Sequence, residues 1–136
     1  MKMAKGLVKI KYLYHSGFMV EVKNHLFVFD YFKGKVDFGE KTPLVFSSHS
    51  HQDHFNPGIF QWEKEKPGIK YILSDDIPIP KLKSNYYAMS PYQEIRVSDV
   101  RIRTYGSTDL GVSYLVECEG VTLFHAGDLN WWHWWD

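Results

Sequence analysis

The sequence contains little that would place it in a membrane, in an oxidising compartment or on nucleic acid. Its single cysteine, Cys118, excludes an internal disulfide framework and favours a reducing compartment. Sixteen basic residues balance sixteen acidic ones, so no broad positive surface is expected and nucleic acid is not expected as a partner. No run is long and apolar enough to span a bilayer, and the alternating residues 8–11 are unlike a signal peptide. We therefore expect a soluble, cytoplasmic protein without a membrane partner.

The chain is long enough for one domain with a modest core. Its 136 residues are predicted to form a single domain over residues 1–136. Short apolar and aromatic runs separated by turn residues predict about seven or eight strands. Asn56 is suited to cap a single helix over residues 57–66. Residues 74–92 contain three prolines and are predicted to be an irregular connection.

The most informative segment is residues 46–54, in which an apolar run ends in a cluster of ligand-type side chains. His49, His51, Asp53 and His54 put three imidazoles and one carboxylate into six consecutive positions. Zinc and related divalent ions prefer such ligands. In an extended backbone His49 and His51 can clasp one ion, while the other two residues face a second. The alternative is a run of solvated loop histidines, but the preceding strand and the following capped helix favour a metal site.

A second segment, residues 123–128, has the pattern of a strand that ends in small residues and a carboxylate. Gly127 permits a close backbone approach, and Asp128 at a strand end can bridge two ions. Taken alone, the Gly-Asp pair is equally typical of an ordinary turn, and it gains weight only beside the first motif. Two ions held together would activate a water for attack on an ester, lactone, amide or phosphodiester.

Four segments occur in an order that resembles the metallo-β-lactamase superfamily. They are Tyr14-His15-Ser16-Gly17-Phe18, Phe29-Asp30, Ser48-His49-Ser50-His51-Gln52-Asp53-His54-Phe55 and Phe124-His125-Ala126-Gly127-Asp128. The chain is most similar to the branch that includes ascorbate-lactone hydrolases and N-acyl-phosphatidylethanolamine phospholipases. The resemblance implies an α+β fold, the four-layer αββα sandwich of that superfamily. This chain would hold the N-terminal, strand-rich half, with the C-terminal part of the domain missing.

The resemblance also implies a set of metal ligands. It implies that His49 and His51 bind a first metal ion, that Asp53 and His54 bind a second, and that Asp128 bridges the two. The expected cofactor is one or two zinc ions. Asp53 is the candidate catalytic residue, because a carboxylate can position a water or accept its proton. His15 is either a supporting residue beside the site or a turn residue before Gly17.

The chain departs from the family pattern between the two motifs. The family usually places a third histidine for the first metal in this stretch, where Ser107 stands here. Serine is a poor zinc ligand, and Asp109 is a possible oxygen ligand in its place. A weakened first site would favour a single ion, or a harder metal such as Mn²⁺ or Fe²⁺.

A second departure lies at the end of the chain. The sequence stops eight residues after Asp128, and four of its five tryptophans fall within residues 131–136. An apolar tail of this kind is typical of an interface. We therefore expect a homo-oligomer that buries the tryptophan-rich C-terminus.

Two functions from different classes follow from these features. The first is a metal-dependent hydrolase that uses an activated water on a small-molecule ester, lactone or phosphodiester. The second is a truncated or degenerate metal-binding half-domain that oligomerises and has no catalytic activity. A nucleic-acid-processing member of the superfamily is a weaker third reading, because the neutral charge provides no grip on a phosphate backbone.

Three further candidates are better explained by structural roles. Asp75-Asp76 could bind a cation but is predicted to form a turn. His25 is predicted to be a hairpin-turn residue. Cys118 is predicted to be a small hydrophobe within a strand.

Overall fold

The computed structural model describes residues 8–13, 17–50, 55–79, 83–106 and 111–126. These residues form ten strands in two sheets and one 3₁₀ helix, Pro57–Lys64. The first sheet contains β1 (Lys9–Tyr12), β2 (Phe18–Glu21), β3 (Leu26–Phe29), β4 (Leu44–Ser47), β5 (Lys70–Ser74) and β6 (Tyr86–Met89). The second contains β7 (Glu94–Val97), β8 (Val100–Tyr105), β9 (Ser113–Cys118) and β10 (Val121–His125).

The first sheet changes from antiparallel to parallel pairing at β3. Its strands follow the chain order β1 to β6, with antiparallel pairs as far as β3 and parallel pairs from β3 to β6. Strands β3 and β4 are fully buried, as expected for apolar runs in a sheet that is covered on both faces. Because β3 to β6 run in parallel, their carboxyl ends lie along one edge of the sheet.

The second sheet is antiparallel and packs one face onto the first. Its order is β10-β9-β8-β7, and β8 alternates buried and half-buried residues, as expected for a strand with one face on the core. One apolar cluster joins the two sheets and includes Phe27, Phe46 and Ile72 of the first with Ile102 and Val116 of the second. The core therefore lies between two sheets stacked face to face.

The 3₁₀ helix covers the other face of the first sheet. Asn56 caps it by accepting a hydrogen bond from the Gly58 N–H at 2.8 Å, as predicted. Ile59 of the helix is fully buried with Val45 and Tyr71 of the sheet. The layers are thus helix, sheet and sheet, which confirms the predicted α+β class. No helix in the described ranges has the length and apolar character needed to cross a lipid bilayer.

The structure corrects two sequence-based expectations. The helix predicted over residues 57–66 is a 3₁₀ helix that ends at Lys64. Gly58 in its first turn weakens the α-helical propensity of this short segment. Residues 74–92, predicted to be irregular, contain β6, which pairs with β5 and raises the number of described strands to ten. All three prolines of that stretch lie outside β6, so no ladder hydrogen bond is lost to them.

Candidate functional site

Polar side chains gather where the parallel strands end. Asp30 follows β3, Ser48 and His49 follow β4, and Asp76 lies two residues after β5. Each of these positions lies within two residues of a strand that the sheet buries, so the strands bring their polar ends to one shared edge. Because this edge also receives the end of β10, both sheets contribute to it.

Asp30 organises the end of β4. Its Oδ1 accepts a hydrogen bond from the Ser48 N–H at 2.6 Å, and its Oδ2 accepts one from the Ser48 hydroxyl at 2.6 Å. The Asp30 N–H donates to the Phe46 carbonyl at 2.8 Å. Asp30 is completely buried and has a φ of 49°, a left-handed conformation that Asp tolerates better than most residues. This buried carboxylate therefore fixes the main chain immediately before His49.

His49 lies inside the protein at the start of the predicted ligand cluster. Its side chain is almost completely buried. Its Nδ1 is 3.1 Å from the Ser48 hydroxyl oxygen, which in turn donates to Asp30. A chain of hydrogen bonds thus runs from a carboxylate through a hydroxyl to an imidazole, which restricts the rotation of the His49 ring.

Asp76 holds the chain on the other side of His49. It accepts a hydrogen bond from the Ser50 N–H at 2.9 Å and another from the Ser74 hydroxyl. Burial raises the pKa of Asp76, but the hydrogen bonds from Ser74 and Ser50 outweigh it and leave the pKa below its ordinary value. The Asp75-Asp76 pair forms the predicted turn, and Asp76 also holds the main chain at Ser50.

Gly111, two residues before β9, lies directly against Ser48 and His49. Gly111 has a φ of 93°, and a Cβ at this position would lie 2.0 Å from the Ser48 carbonyl oxygen and 2.4 Å from the His49 Cβ. The next residue, Val112, donates its N–H to the same Ser48 carbonyl at 2.8 Å. Only glycine combines this conformation with so close an approach. The two residues before β9 therefore hold the main chain at Ser48 and His49 in place.

Tyr114 connects the two sheets beneath the site. Its hydroxyl lies 2.8 Å from the Ser47 carbonyl and 3.2 Å from the Ile72 carbonyl, to which it donates. Burial raises the pKa of Tyr114 well above its ordinary value, and the negative charges of Asp30, Asp76 and Asp75 raise it further. The same negative field favours a cation at the carboxyl ends of these strands.

His125 brings the end of β10 to the same place. Its ring stacks on Phe29 with centroids 5.0 Å apart and planes at 9°, and Phe18 meets the ring edge-on. Its Nε2 lies 3.8 Å from Asp30 Oδ2. The strand that precedes the predicted Gly-Asp motif therefore ends beside Asp30.

Of the predicted ligands, His49 alone lies within the described residues. His49 is buried at a strand end as expected, while His51, Asp53, His54 and Asp128 lie outside the described residues. His15, Ser107 and Asp109 also lie outside them. Within the described ranges no group of three or more His, Cys, Asp or Glu side chains could hold a metal ion. A buried imidazole in a negative field nevertheless has the chemistry of a divalent-cation ligand.

Three residues with clear roles at this edge were not predicted to have them. Asp30 was noted only within the family pattern, Ser48 only as part of the motif, and Gly111 was not singled out. An aspartate directly after a buried strand is a usable signal for the first. The roles of Ser48 and Gly111 depend on contacts between parts of the chain that are distant in sequence, and a local sequence pattern does not predict such contacts.

Comparison with known proteins gives a consistent picture. A family model described as a β-lactamase superfamily domain matches residues 9–131. A UPF0173 metal-dependent hydrolase of Thermococcus kodakarensis is 25% identical over 90% of this chain and 62% of its own length. The chain thus spans less than two-thirds of that relative.

Solved structures share the fold at low sequence identity. Igni18, a metallo hydrolase from Ignicoccus hospitalis, superposes with a TM-score of 0.64 at 19% identity, covering 90% of this chain and 61% of its own. A metallo-β-lactamase from Staphylococcus aureus superposes with a TM-score of 0.59 at 15% identity, covering 88% of this chain and 40% of its own. These likenesses confirm the predicted fold, whereas the ascorbate-lactone branch stays a prediction. By the match over residues 9–131, the chain belongs to the metallo-β-lactamase superfamily.

Proposed function

We propose that this chain is the metal-binding part of a metal-dependent hydrolase. The observation that carries the proposal is the placement of His49, which is buried at the carboxyl end of β4 as the first residue of the His-x-His-x-Asp-His motif. Hydrogen bonds to Asp30 and Asp76 fix the chain on either side of it. The name of the Thermococcus kodakarensis relative, a metal-dependent hydrolase, points in the same direction.

The proposed ligands are His49 and His51 for one ion, Asp53 and His54 for a second, and Asp128 between them. A bound divalent ion supplies a Lewis acid and an activated water. Asp53 would orient that water and accept its proton, because a carboxylate can do both. Asp30 and Ser48 would hold the first of these ligands in place.

The proposed substrate is a small molecule with an ester, lactone or phosphodiester group. Zinc is the expected metal, since imidazole and carboxylate ligands suit it. Ser107 occupies the position where the family usually has a histidine, and this favours a single ion or a harder metal such as Mn²⁺ or Fe²⁺. A cytoplasmic location is part of the proposal and rests on the single cysteine.

Ser107 also supports a second candidate function. A site that lacks one histidine could bind metal without turning over a substrate. In this case the chain would be a degenerate metal-binding half-domain that forms a homo-oligomer through Trp131, Trp132, Trp134 and Trp135. Size measurement by multi-angle light scattering tests this directly, and a monomer would contradict it.

Metal content separates the two candidates from a protein without a site. The purified chain should contain one or two ions per molecule by elemental analysis, and His51→Ala should lose most of them. His25→Ala is a matched control, because His25 lies at the opposite end of β3. Metal content at background in the unsubstituted chain would overturn both candidates.

Hydrolysis distinguishes the first candidate from the second. Turnover of an aryl ester, an aliphatic lactone or an aryl phosphodiester should depend on added metal and fall at least tenfold in Asp53→Asn. Bound metal with no turnover of any of these substrates would favour the degenerate half-domain.

A further inference from the structure

We propose that Ser48 is a positioning residue that sets the tautomer of His49. It holds the ring proton on Nδ1 and so leaves the Nε2 lone pair for a divalent cation. The proposal deepens the proposed function and rests on it for the identity of the ligand. Its structural basis is the run of contacts from Asp30 through Ser48 to His49.

The direction of each hydrogen bond follows from counting protons. The Ser48 hydroxyl donates its proton to Asp30 Oδ2, at 2.6 Å. A hydroxyl has a single proton, and its oxygen can then only accept from the His49 ring. The 3.1 Å contact between Ser48 Oγ and His49 Nδ1 therefore requires the proton on Nδ1. In the neutral ring the lone pair is then on Nε2.

Burial makes this assignment firm. Asp30 and Ser48 are completely buried and His49 nearly so, and bulk water therefore does not compete for these hydrogen bonds. The main chain of Ser48 is held twice, by Asp30 Oδ1 on its N–H and by Val112 on its carbonyl oxygen. The hydroxyl consequently starts from a fixed backbone and has little freedom to reorient.

The second hydrogen bond to Asp30, at its Oδ1, also has a fixed donor and a fixed acceptor. Its Oδ1 accepts from a backbone N–H, which cannot act as an acceptor in return. The left-handed φ of Asp30 turns the carboxylate toward Ser48, while the Asp30 N–H stays bonded to Phe46. The carboxylate is therefore placed to accept from both groups of the same serine.

This arrangement matters because a metal ligand must present a lone pair. A ligating histidine generally donates its other ring N–H to an acceptor, and loss of such an acceptor costs about 10–100-fold in metal affinity. Ser48 supplies that acceptor here, and Asp30 keeps it in the accepting state. A serine that only stabilised the end of β4 would have no effect on the tautomer.

The tautomer can be read directly in the metal-free protein. Long-range ¹H–¹⁵N correlation spectra of the ¹⁵N-histidine-labelled full chain, at a pH where the ring is neutral, distinguish Nδ1–H from Nε2–H. The His49 signals are those that disappear in His49→Gln. We expect the Nδ1–H form in the unsubstituted chain, and an Nε2–H form would overturn the proposal.

Asp30→Asn reverses the polarity of the same contacts. The asparagine Oδ1 can still accept from the Ser48 N–H, while its Nδ2 donates to the Ser48 hydroxyl. The hydroxyl is then free to donate to His49 Nδ1, which shifts the ring to the Nε2–H form. Asn also tolerates the left-handed φ, so the fold should be retained. An unchanged Nδ1–H form in a folded Asp30→Asn variant would overturn the proposal.

Zinc titration of the full chain gives an independent readout. Ser48→Ala should weaken zinc binding about 10–100-fold by calorimetry. Thr104→Val is the matched control, because Thr104 is equally buried and donates its hydroxyl to the Ser90 carbonyl at 2.6 Å, away from His49. Equal zinc affinity in Ser48→Ala and the unsubstituted chain would contradict the positioning role. A correct tautomer without any zinc binding would support the hydrogen-bond chain and contradict the proposed function.

Discussion

A histidine and a carboxylate lie close together near each end of the strand β3, and the two pairs differ in burial and in how the two groups are connected. At the carboxyl end Asp30 is fully buried and reaches His49 through Ser48. At the amino end the His25 Nε2 lies 2.7 Å from Asp99 Oδ1, and the Asp99 side chain is 64% exposed. The same residue types therefore form one buried pair and one pair whose carboxylate is exposed to solvent.

The pair at the amino end, His25 and Asp99, links two turns at the protein surface. His25 precedes β3, as predicted for a hairpin-turn residue, and Asp99 lies between β7 and β8. Glu119, between β9 and β10, accepts a hydrogen bond from the Asn24 N–H at 3.1 Å. Exposed pairs of this kind contribute about 0.2–1 kcal/mol. Ligand-type residues alone thus do not make a site, and burial with directed hydrogen bonds distinguishes the carboxyl end.

The largest effect is expected where the carboxyl end is most tightly packed. Gly111→Ala should lower the free energy of unfolding by about 3–5 kcal/mol, because the new Cβ meets the Ser48 carbonyl and the φ is left-handed. Gly39→Ala is the control, since Gly39 has a φ of 62° with no atom within 4 Å of a Cβ. It should cost only about 1 kcal/mol. Equal losses in urea unfolding would show that the contact with His49 is not tight.

A second test removes the carboxylate near each end of β3, Asp30 at the carboxyl end and Asp99 at the amino end. Asp30→Ala removes a buried carboxylate that accepts from both the N–H and the hydroxyl of Ser48, leaves the N–H without its acceptor and should cost about 2–4 kcal/mol. Asp99→Ala at the exposed end should cost less than about 1 kcal/mol. Chemical denaturation of both variants measures the contrast. If the two losses were similar, burial would not be what separates the two ends.

A third test concerns the connection between the sheets beneath the site. Tyr114→Phe removes the hydrogen bonds to the Ser47 and Ile72 carbonyls and should cost about 1–2 kcal/mol. Tyr92→Phe is the control, because the Tyr92 side chain is among the most exposed large hydrophobic groups. It should leave the midpoint of thermal unfolding unchanged. A shift in the control as large as that in Tyr114→Phe would contradict the assigned role.

The smallest effect is expected for the pH dependence of the interaction between His25 and Asp99. The hydrogen bond from His25 lowers the pKa of Asp99, so the folded state prefers the ionised carboxylate. The stabilisation is present above the unfolded-state pKa, about 3.9, and is lost as the pH falls through the lower folded-state pKa. A double-mutant cycle of His25→Ala and Asp99→Ala should give a coupling of about 0.2–1 kcal/mol while Asp99 is ionised, and less once the pH falls below the pKa of Asp99. A coupling that persisted unchanged after protonation of Asp99 would contradict this expectation.

The sequence pattern predicted what depends on neighbouring residues. Alternation and turn residues located most of the strands and the Asn56 cap, and His49 lies at a buried strand end as expected. Strand β6 was missed because prolines surround a short segment that gains its order from pairing with β5. The roles of Ser48 and Asp30 were missed because 18 residues separate them in the chain.

The remaining ligands stay predictions. His51, Asp53, His54 and Asp128 were assigned by the resemblance, and none lies within the described residues. The structure adds the residues that hold His49 in place. Three parallel strands end at the same edge of the first sheet, and Val112, directly before β9, bonds to the Ser48 carbonyl there. This support arises from packing between two sheets, and a linear pattern of residue types does not specify it.

The reactivity of the buried Cys118 thiol can be used to measure local opening of the protein at β9. As predicted, it behaves as a small hydrophobe in a strand, at the end of β9 and only 7% exposed. Burial, with a smaller contribution from the nearby charges of Glu119 and Asp99, raises its pKa to about 11. A disulfide reagent at neutral pH should therefore react only after β9 separates from its neighbours. The kinetics of thiol modification would report, without any added label, how often the strand that carries Tyr114 detaches.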